Sequence, residues 1–323
     1  MFTPIKESLN PFLFLVGCPR SGTTLLTRII DAHQDIAMMH AEQHWIPRFF
    51  LKQIGVTAEG TATPALITEL FKDPKFSKID FELSQLETLI NGNTSYSDFV
   101  RGIFDLYGKA QDKSRVGEKT PGNDLHIPVL HGLWPNTKII HLIRDGRDVC
   151  LSAIHWKKSE KLKQRFRVWR ENPVIGAAYW WRWHVQSGRR AGAVLGTDLY
   201  YEIRYEDLVH KPEEECRKLC SFLEVEYSPR MPLFHEGKTK LREGRDAKHA
   251  WIGITPGLRD WRRDMAPDDV GLFEAAAGDT LLRFGYELGS SNRRTDIADR
   301  IQTLKKIFAE DAQSKIRFLP DDW

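Results

Sequence analysis

Short apolar runs alternate along this chain with longer stretches whose apolar residues fall at helical spacing. Phe12-Leu13-Phe14-Leu15-Val16 is unbroken by any polar residue and closed by Gly17, which predicts a buried strand. From Thr23 to Ala32, Leu25, Leu26, Ile29 and Ile30 recur three and four apart and predict the helix that follows. Lys138 to Ile143 (Lys-Ile-Ile-His-Leu-Ile) and Leu199 to Ile203 predict two further strands, the first leading into a helix that carries Ser152. Helices are predicted from Tyr179 through the Trp180-Trp181-Arg182-Trp183 run, from Pro212 to Leu223 behind its opening proline, and from Asp268 to Leu282. Ile297, Ile301, Leu304, Ile307 and Phe308 stripe a final amphipathic helix over 296–308, to be packed on the body or on a second subunit of a homodimer. Residues 51–115 mix small apolar clusters with Gly, Asn, Ser and Thr, which predicts short helices and loops capping one side of the site. Strands near 12–16, 138–143 and 199–203 with helices between them define an α/β fold around a central, mostly parallel sheet, read as one domain over 1–323.

The chemistry concentrates where the first strand meets its helix. Gly17-Cys18-Pro19-Arg20-Ser21-Gly22-Thr23-Thr24 fits the phosphate-loop pattern G-x-x-x-x-G-K-[ST] at Gly17, Gly22 and Thr24, but Thr23 replaces the lysine. That lysine reaches the β- and γ-phosphates of a nucleoside triphosphate, so its loss argues against such a ligand. The helix N-terminus and the donors of Arg20, Ser21, Thr23 and Thr24 still argue for a bound phosphate. Arg144-Asp145-Gly146-Arg147-Asp148 leaves the second strand at its carboxyl end, the edge where open α/β sheets bind ligands. Arg144 with the Ser152 hydroxyl could grip a second, separate phosphate, or could pair with acids at the helix start.

These segments resemble the sulfotransferase superfamily, whose donor is 3′-phosphoadenosine 5′-phosphosulfate (PAPS). Pro19 to Thr24 is similar to its 5′-phosphosulfate loop, and Ile143 to Asp148 with Ser152 to its 3′-phosphate site. Gly117-Glu118-Lys119-Thr120-Pro121 resembles its Lys-Thr-Pro segment, and Arg204-Tyr205-Glu206-Asp207-Leu208 its later Tyr-Glu-Asp-Leu element. Pro19 to Pro47 looks nearest to the protein-tyrosine sulfotransferases and their bacterial relatives; the histidine of the steroid and phenol enzymes is here Pro121. The resemblance implies a P-loop-like fold and in-line transfer of a sulfuryl group from PAPS to an acceptor hydroxyl, or an amine, giving adenosine 3′,5′-bisphosphate (PAP). It implies that Arg20, Ser21, Gly22, Thr23, Thr24, Arg144, Ser152 and Tyr205 bind the donor, although the Tyr205 element reads equally as scaffold. Lys119 is implied near the bridging oxygen, where leaving-group charge grows. Glu42 aligns with the tyrosine enzymes' catalytic glutamate across a one-residue insertion, and His40 and His44 remain alternative bases. The family's Arg-Lys-Gly contact to the 3′-phosphate has only a loose echo in Arg242-Glu243-Gly244, and its closing tryptophan corresponds to Trp261.

Composition narrows the setting. The chain has 323 residues, 41% hydrophobic and 28% charged, enough to bury a full core, and no apolar run approaches the ~20 residues of a membrane span. Without a signal-peptide core it is expected in the cytoplasm. Four scattered cysteines give no disulfide framework, no His/Cys set has metal spacing, and a net charge of +3 suits an anionic donor without calling for nucleic acid. The acceptor could be a tyrosine, sugar, lipid or natural product. Lys157 to Arg170, basic with interleaved Phe166 and Trp169, is either a solvated face or a lid over an anionic ligand. Two rival readings are a P-loop kinase, which would need a lysine at Thr23, and a non-catalytic binder of anionic glycans using residues 157–170.

Overall fold

The computed structural model describes residues 12–39, 41–236, 253–289 and 297–314. Its centre is a five-stranded sheet, parallel at every pairing, built from β1 (Leu13–Val16), β2 (Ile36–Met38), β3 (Arg115–Lys119), β4 (Lys138–Ile143) and β5 (Tyr200–Arg204) in the order β2-β3-β1-β4-β5. β1 lies in the middle, with Leu15 opposite both Lys119 and Ile140. Parallel pairing brings every carboxyl end to one edge, so the segments after Val16, Met38, Lys119, Ile143 and Arg204 emerge together.

The period of two along β1 separates two cores. Phe12, Phe14 and Val16 pack with Trp45, Phe99, Phe104 and Trp134, whereas Leu13 and Leu15 pack with Leu26, Ile29, Leu142 and Leu219 on the opposite face. A third cluster gathers Trp169, Trp181, Trp183, Phe273 and Phe308 around the helix Pro173–Leu195. Fully burying a side chain of this size contributes roughly 1.5–3 kcal/mol, so the sheet is clamped from both faces.

The expected strands are present, and two more join them, Ile36–Met38 and Arg115–Lys119. Neither has an apolar run long enough to announce itself, and β3 even carries Glu118 and Lys119 into the sheet. The aromatic helix begins at Pro173 rather than at Tyr179, because the Asn172 side chain accepts hydrogen bonds from the Val174 and Ile175 N–H groups and caps it. The last helix runs Ala298–Gln313, longer than its stripe, and packs within this chain: Phe308 stacks on Phe166 with ring centroids 4.9 Å apart. Asp296 lies outside the described residues, as do His40 and Arg242-Glu243-Gly244. Residues 51–115 hold the helices Pro64–Phe71, Leu83–Glu87 and Tyr96–Ala110, whose Leu66, Ile67, Phe99, Val100, Ile103 and Phe104 belong to the core. Cys216 and Cys220 are buried and free, as are Cys18 and Cys150. No helix of the described residues is long and apolar enough to cross a membrane.

Candidate active site

The loop between β1 and the helix Thr23–Asp31 is held open by its glycines. Gly22, with φ 100°, is the N-cap residue, and no side chain caps the helix. A Cβ at Gly22 would stand 2.5 Å from the Tyr205 ring, and one at Gly17 would meet the Leu142 carbonyl oxygen at the same distance. The loop is therefore pressed between β4 and the start of the segment after β5, with the N-terminus of its helix free to meet an anion. Gly22, Thr23, Thr24 and Arg20 line a cleft of 2780 Å³ that runs along the carboxyl edge of the sheet. Ser21 is fully buried, and its Oγ has no hydrogen-bond partner among the described residues.

A second group of donors stands beside this loop. Arg20 Nε donates to Ser152 Oγ at 2.9 Å, tying the loop to the helix Gly146–Ile154 across 132 positions of sequence. Arg144 is buried at the end of β4, its guanidinium over the Tyr205 ring at 4.2 Å, one nitrogen on Asp148 at 3.2 Å and its Nε without a hydrogen-bond partner among the described residues. Arg144, Ser152 and Tyr205 all line the cleft. The other residues of these two segments are scaffold. Arg147 is fully buried between Asp145, Glu274 and the Trp261 ring. Glu206 accepts from the Asp145 N–H at 2.9 Å and from the Tyr286 hydroxyl, locking β5 to β4. The Tyr-Glu-Asp element thus divides, with Tyr205 at the cleft and Glu206 beneath it. Trp261 is buried, and its backbone N–H donates to Asp148 at 2.9 Å.

The third group closes the other side. Lys119, the last residue of β3, donates to Glu42 Oε1 at 2.8 Å; Lys75, from the cap, donates to Glu42 Oε2 at 3.0 Å and contacts His44 Nε2 at 2.7 Å. Burial alone would raise the Glu42 carboxyl, but the Lys119 and Lys75 ammonium groups outweigh it and hold it down at about 2. Burial, then Lys75, pushes His44 down to about 4, so its ring is neutral and its Nε2 accepts a hydrogen bond from the Lys75 ammonium. The loop carrying Glu42 is fixed from below. Glu118 accepts from the Gln43 N–H at 3.1 Å and from the Thr120 hydroxyl, and Thr120 receives the His44 N–H. Glu118 is fully buried, its Oε2 has no hydrogen-bond partner among the described residues, and burial pushes its carboxyl up to about 7.

The structure brings Arg20, Gly22, Thr23, Thr24, Glu42, His44, Lys119, Arg144, Ser152 and Tyr205 to one cleft; Lys75 and Glu118 are the participants that the sequence did not single out. The basic segment 157–170 is anchored by Phe166 and Trp169, both in the core, and by Arg167, which pairs with Glu310 and Asp311. From it Lys157, Lys158 and Arg165 line the cleft. Among the described residues no group of His, Cys, Asp and Glu could hold a metal ion.

A model of the sulfotransferase family matches residues 11–229. The chain is 27% identical over 280 residues to a Drosophila melanogaster protein-tyrosine sulfotransferase, covering 79% of this chain and 49% of that one. It is 26% identical over 231 residues to protein-tyrosine sulfotransferase A of Caenorhabditis elegans, covering 70% and 53%. The chain spans about half the length of these two relatives. Among solved structures, the sulfotransferase domain of the Synechococcus PCC 7002 olefin synthase shares the fold, with a TM-score of 0.54 at 23% identity over 88% of this chain and 98% of that domain.

Proposed function

The chain belongs to the sulfotransferase family, and we propose that its cleft moves a sulfuryl group from PAPS to an acceptor hydroxyl by in-line displacement, with the donor divided among its three groups of residues. The loop Gly17–Thr24 takes the 5′-phosphosulfate on the free helix N-terminus, and Arg144 with Ser152 takes the 3′-phosphate. The observation that carries the reading is the pairing of Lys119 with Glu42 beside a phosphate loop that lacks its own lysine. The acceptor oxygen attacks sulfur, the bond from sulfur to the bridging oxygen breaks, and PAP leaves. Charge then grows on the bridging oxygen, where Lys119 stabilises it. The acceptor proton goes to Glu42. A carboxyl held at about 2 by two ammonium groups is a weak base; when Lys119 turns to the donor, one of those groups leaves and the carboxylate becomes more basic.

Labelled PAPS offered with a panel of hydroxyl acceptors tests the reaction, and turnover should persist under magnesium chelation, where a kinase would stop. The tyrosine enzymes among the relatives make a tyrosine peptide one arm of that panel. Glu42→Gln should lower kcat by about 10²–10⁴; near-normal turnover in that variant removes Glu42 as the base.

A further inference from the structure

Beyond Lys119 the chain passes through Pro121 and Gly122 into a 3₁₀ turn, Asn123–Leu125, that packs against the helix Pro173–Leu195. The Gly122 N–H donates to the Gly17 carbonyl at 3.2 Å, so this turn is fixed to the phosphate loop. A cluster of polar side chains meets there: Asn123, Asp124 and His126 from the turn and its exit, and His184 from the helix, each at most 5% exposed. Asp124 Oδ2 lies 2.8 Å from His184 Nδ1. A carboxylate only accepts, so Nδ1 carries a proton and faces Asp124.

This cluster is left unfilled by the protein. Both amide atoms of Asn123, Asp124 Oδ1 and His126 Nδ1 have no hydrogen-bond partner among the described residues. Native proteins leave few buried polar atoms in that state, since each forfeits its hydration without replacement. Asn123, His126 and His184 line the same cleft as the phosphate loop, together with Trp180 and Trp183, whose rings lie 5.1 and 5.6 Å from that of His184. Neither the sequence motifs nor the donor reading uses any of these groups.

We propose that Asn123, His126 and His184 form the acceptor subsite, with Asp124 behind them orienting the His184 ring, and that the acceptor is an uncharged polyhydroxylated group, of which a sugar ring is the plainest case; this rests on the sulfotransferase reading. The unmet atoms decide the class. Along the cleft, Asn123 Oδ1 accepts, the Asn123 amide offers two N–H donors, Trp183 Nε1 donates, and His126 Nδ1 does either according to its tautomer, so the complementary ligand carries groups that both donate and accept, as hydroxyls do. The Asp124 charge disfavours a carboxylate or sulfate at this spot. The indole surfaces suit the C–H face of a ring whose edge carries hydroxyls. One hydroxyl attacks sulfur while its neighbours are held here.

The test measures transfer from labelled PAPS to methyl glycosides, to a tyrosine peptide and to a simple alcohol, alongside calorimetric PAP binding, for the unaltered protein, Asn123→Ala and the nearly isosteric Asn123→Asp. Glycosides should be the preferred acceptors, and both variants should raise KM for them about ten-fold with PAP affinity unchanged. A preferred tyrosine peptide, or a glycoside KM indifferent to both variants, overturns the subsite and leaves buried water as the partner of these atoms. Failure of the unaltered protein to bind PAP instead sinks the sulfotransferase reading, and the subsite with it.

Discussion

Lys119→Met removes an ammonium while keeping an apolar stem of similar length, so it separates the charge of this residue from its packing. The Lys119 and Glu42 side chains are 14% and 26% exposed, and Lys75 still lies 3.0 Å from the other carboxylate oxygen. Glu42 is therefore not left stranded, and a partly solvated pair of this kind contributes about 1 kcal/mol or less. In a chain of this length that lowers Tm by about 1–2 °C at most. The transition state is another matter. A donor fixed against the oxygen on which charge develops supplies about 2.7–4 kcal/mol, so kcat should fall by about 10²–10³. Donor affinity should change little, since the proposal assigns the phosphates to the loop and Arg144. Single-turnover transfer, PAP calorimetry and thermal unfolding on one preparation measure all three. A kcat within tenfold of the unaltered protein, or a loss that tracks PAP affinity, would falsify the assignment of Lys119 to the leaving group.

Arg144 should read the 3′-phosphate and little else: Arg144→Ala should weaken PAP by about 2–3 kcal/mol while sparing 5′-AMP, and an equal loss for both ligands, measured by calorimetry, would remove that role. Glu118 predicts a pH effect on stability. Burial raises its carboxyl from 4.5 to about 7 in the folded chain, so its stabilisation is complete below about 4.5 and is lost as pH rises through about 7. The gap corresponds to about 3 kcal/mol. Urea midpoints at pH 6 and pH 8 should fall more steeply for the unaltered protein than for Glu118→Gln, and identical slopes would show that another group titrates there.

The fold was legible wherever an apolar run stood alone. Phe12 to Val16 and Lys138 to Ile143 are buried on both faces, so every position had to be apolar or closely partnered, and the pattern survives reading by eye. β3 hides because its sequence, Arg-Val-Gly-Glu-Lys, takes its burial from contacts across the sheet rather than from composition. Arg115 reaches the Leu223 and Glu224 carbonyls, and Glu118 has Thr120 and Gln43. Asn172-Pro173 was a readable helix start, yet the dense aromatics from Tyr179 drew the boundary inward. Periodicity reports which face is buried, whereas the cap that starts a helix is a local hydrogen bond; the two signals lay several residues apart.

The meeting of the proposed donor-side residues at one cleft could be read because each of their groups follows a strand, and parallel strands bring whatever follows them to one edge. Arg20 and Ser152 are far apart in sequence and 2.9 Å apart in space for that reason alone. The acceptor side had no such guide. Lys75 comes from the cap, where no repeat or strand end marks it, and its meeting with Glu42 depends on how the helices Pro64–Phe71 and Leu83–Glu87 set the chain between them. Glu118 looked like a neighbour of Lys119, yet alternation along a strand sends the two side chains to opposite faces. One therefore enters the cleft and the other goes beneath it, where it fixes the Gln43 N–H and so the height at which Glu42 stands. A lysine on β3 rather than in the phosphate loop is coupled to a carboxylate that the same strand positions, so in the proposed reaction the group that would stabilise the leaving oxygen and the group that would take the proton are set by adjacent residues of one strand.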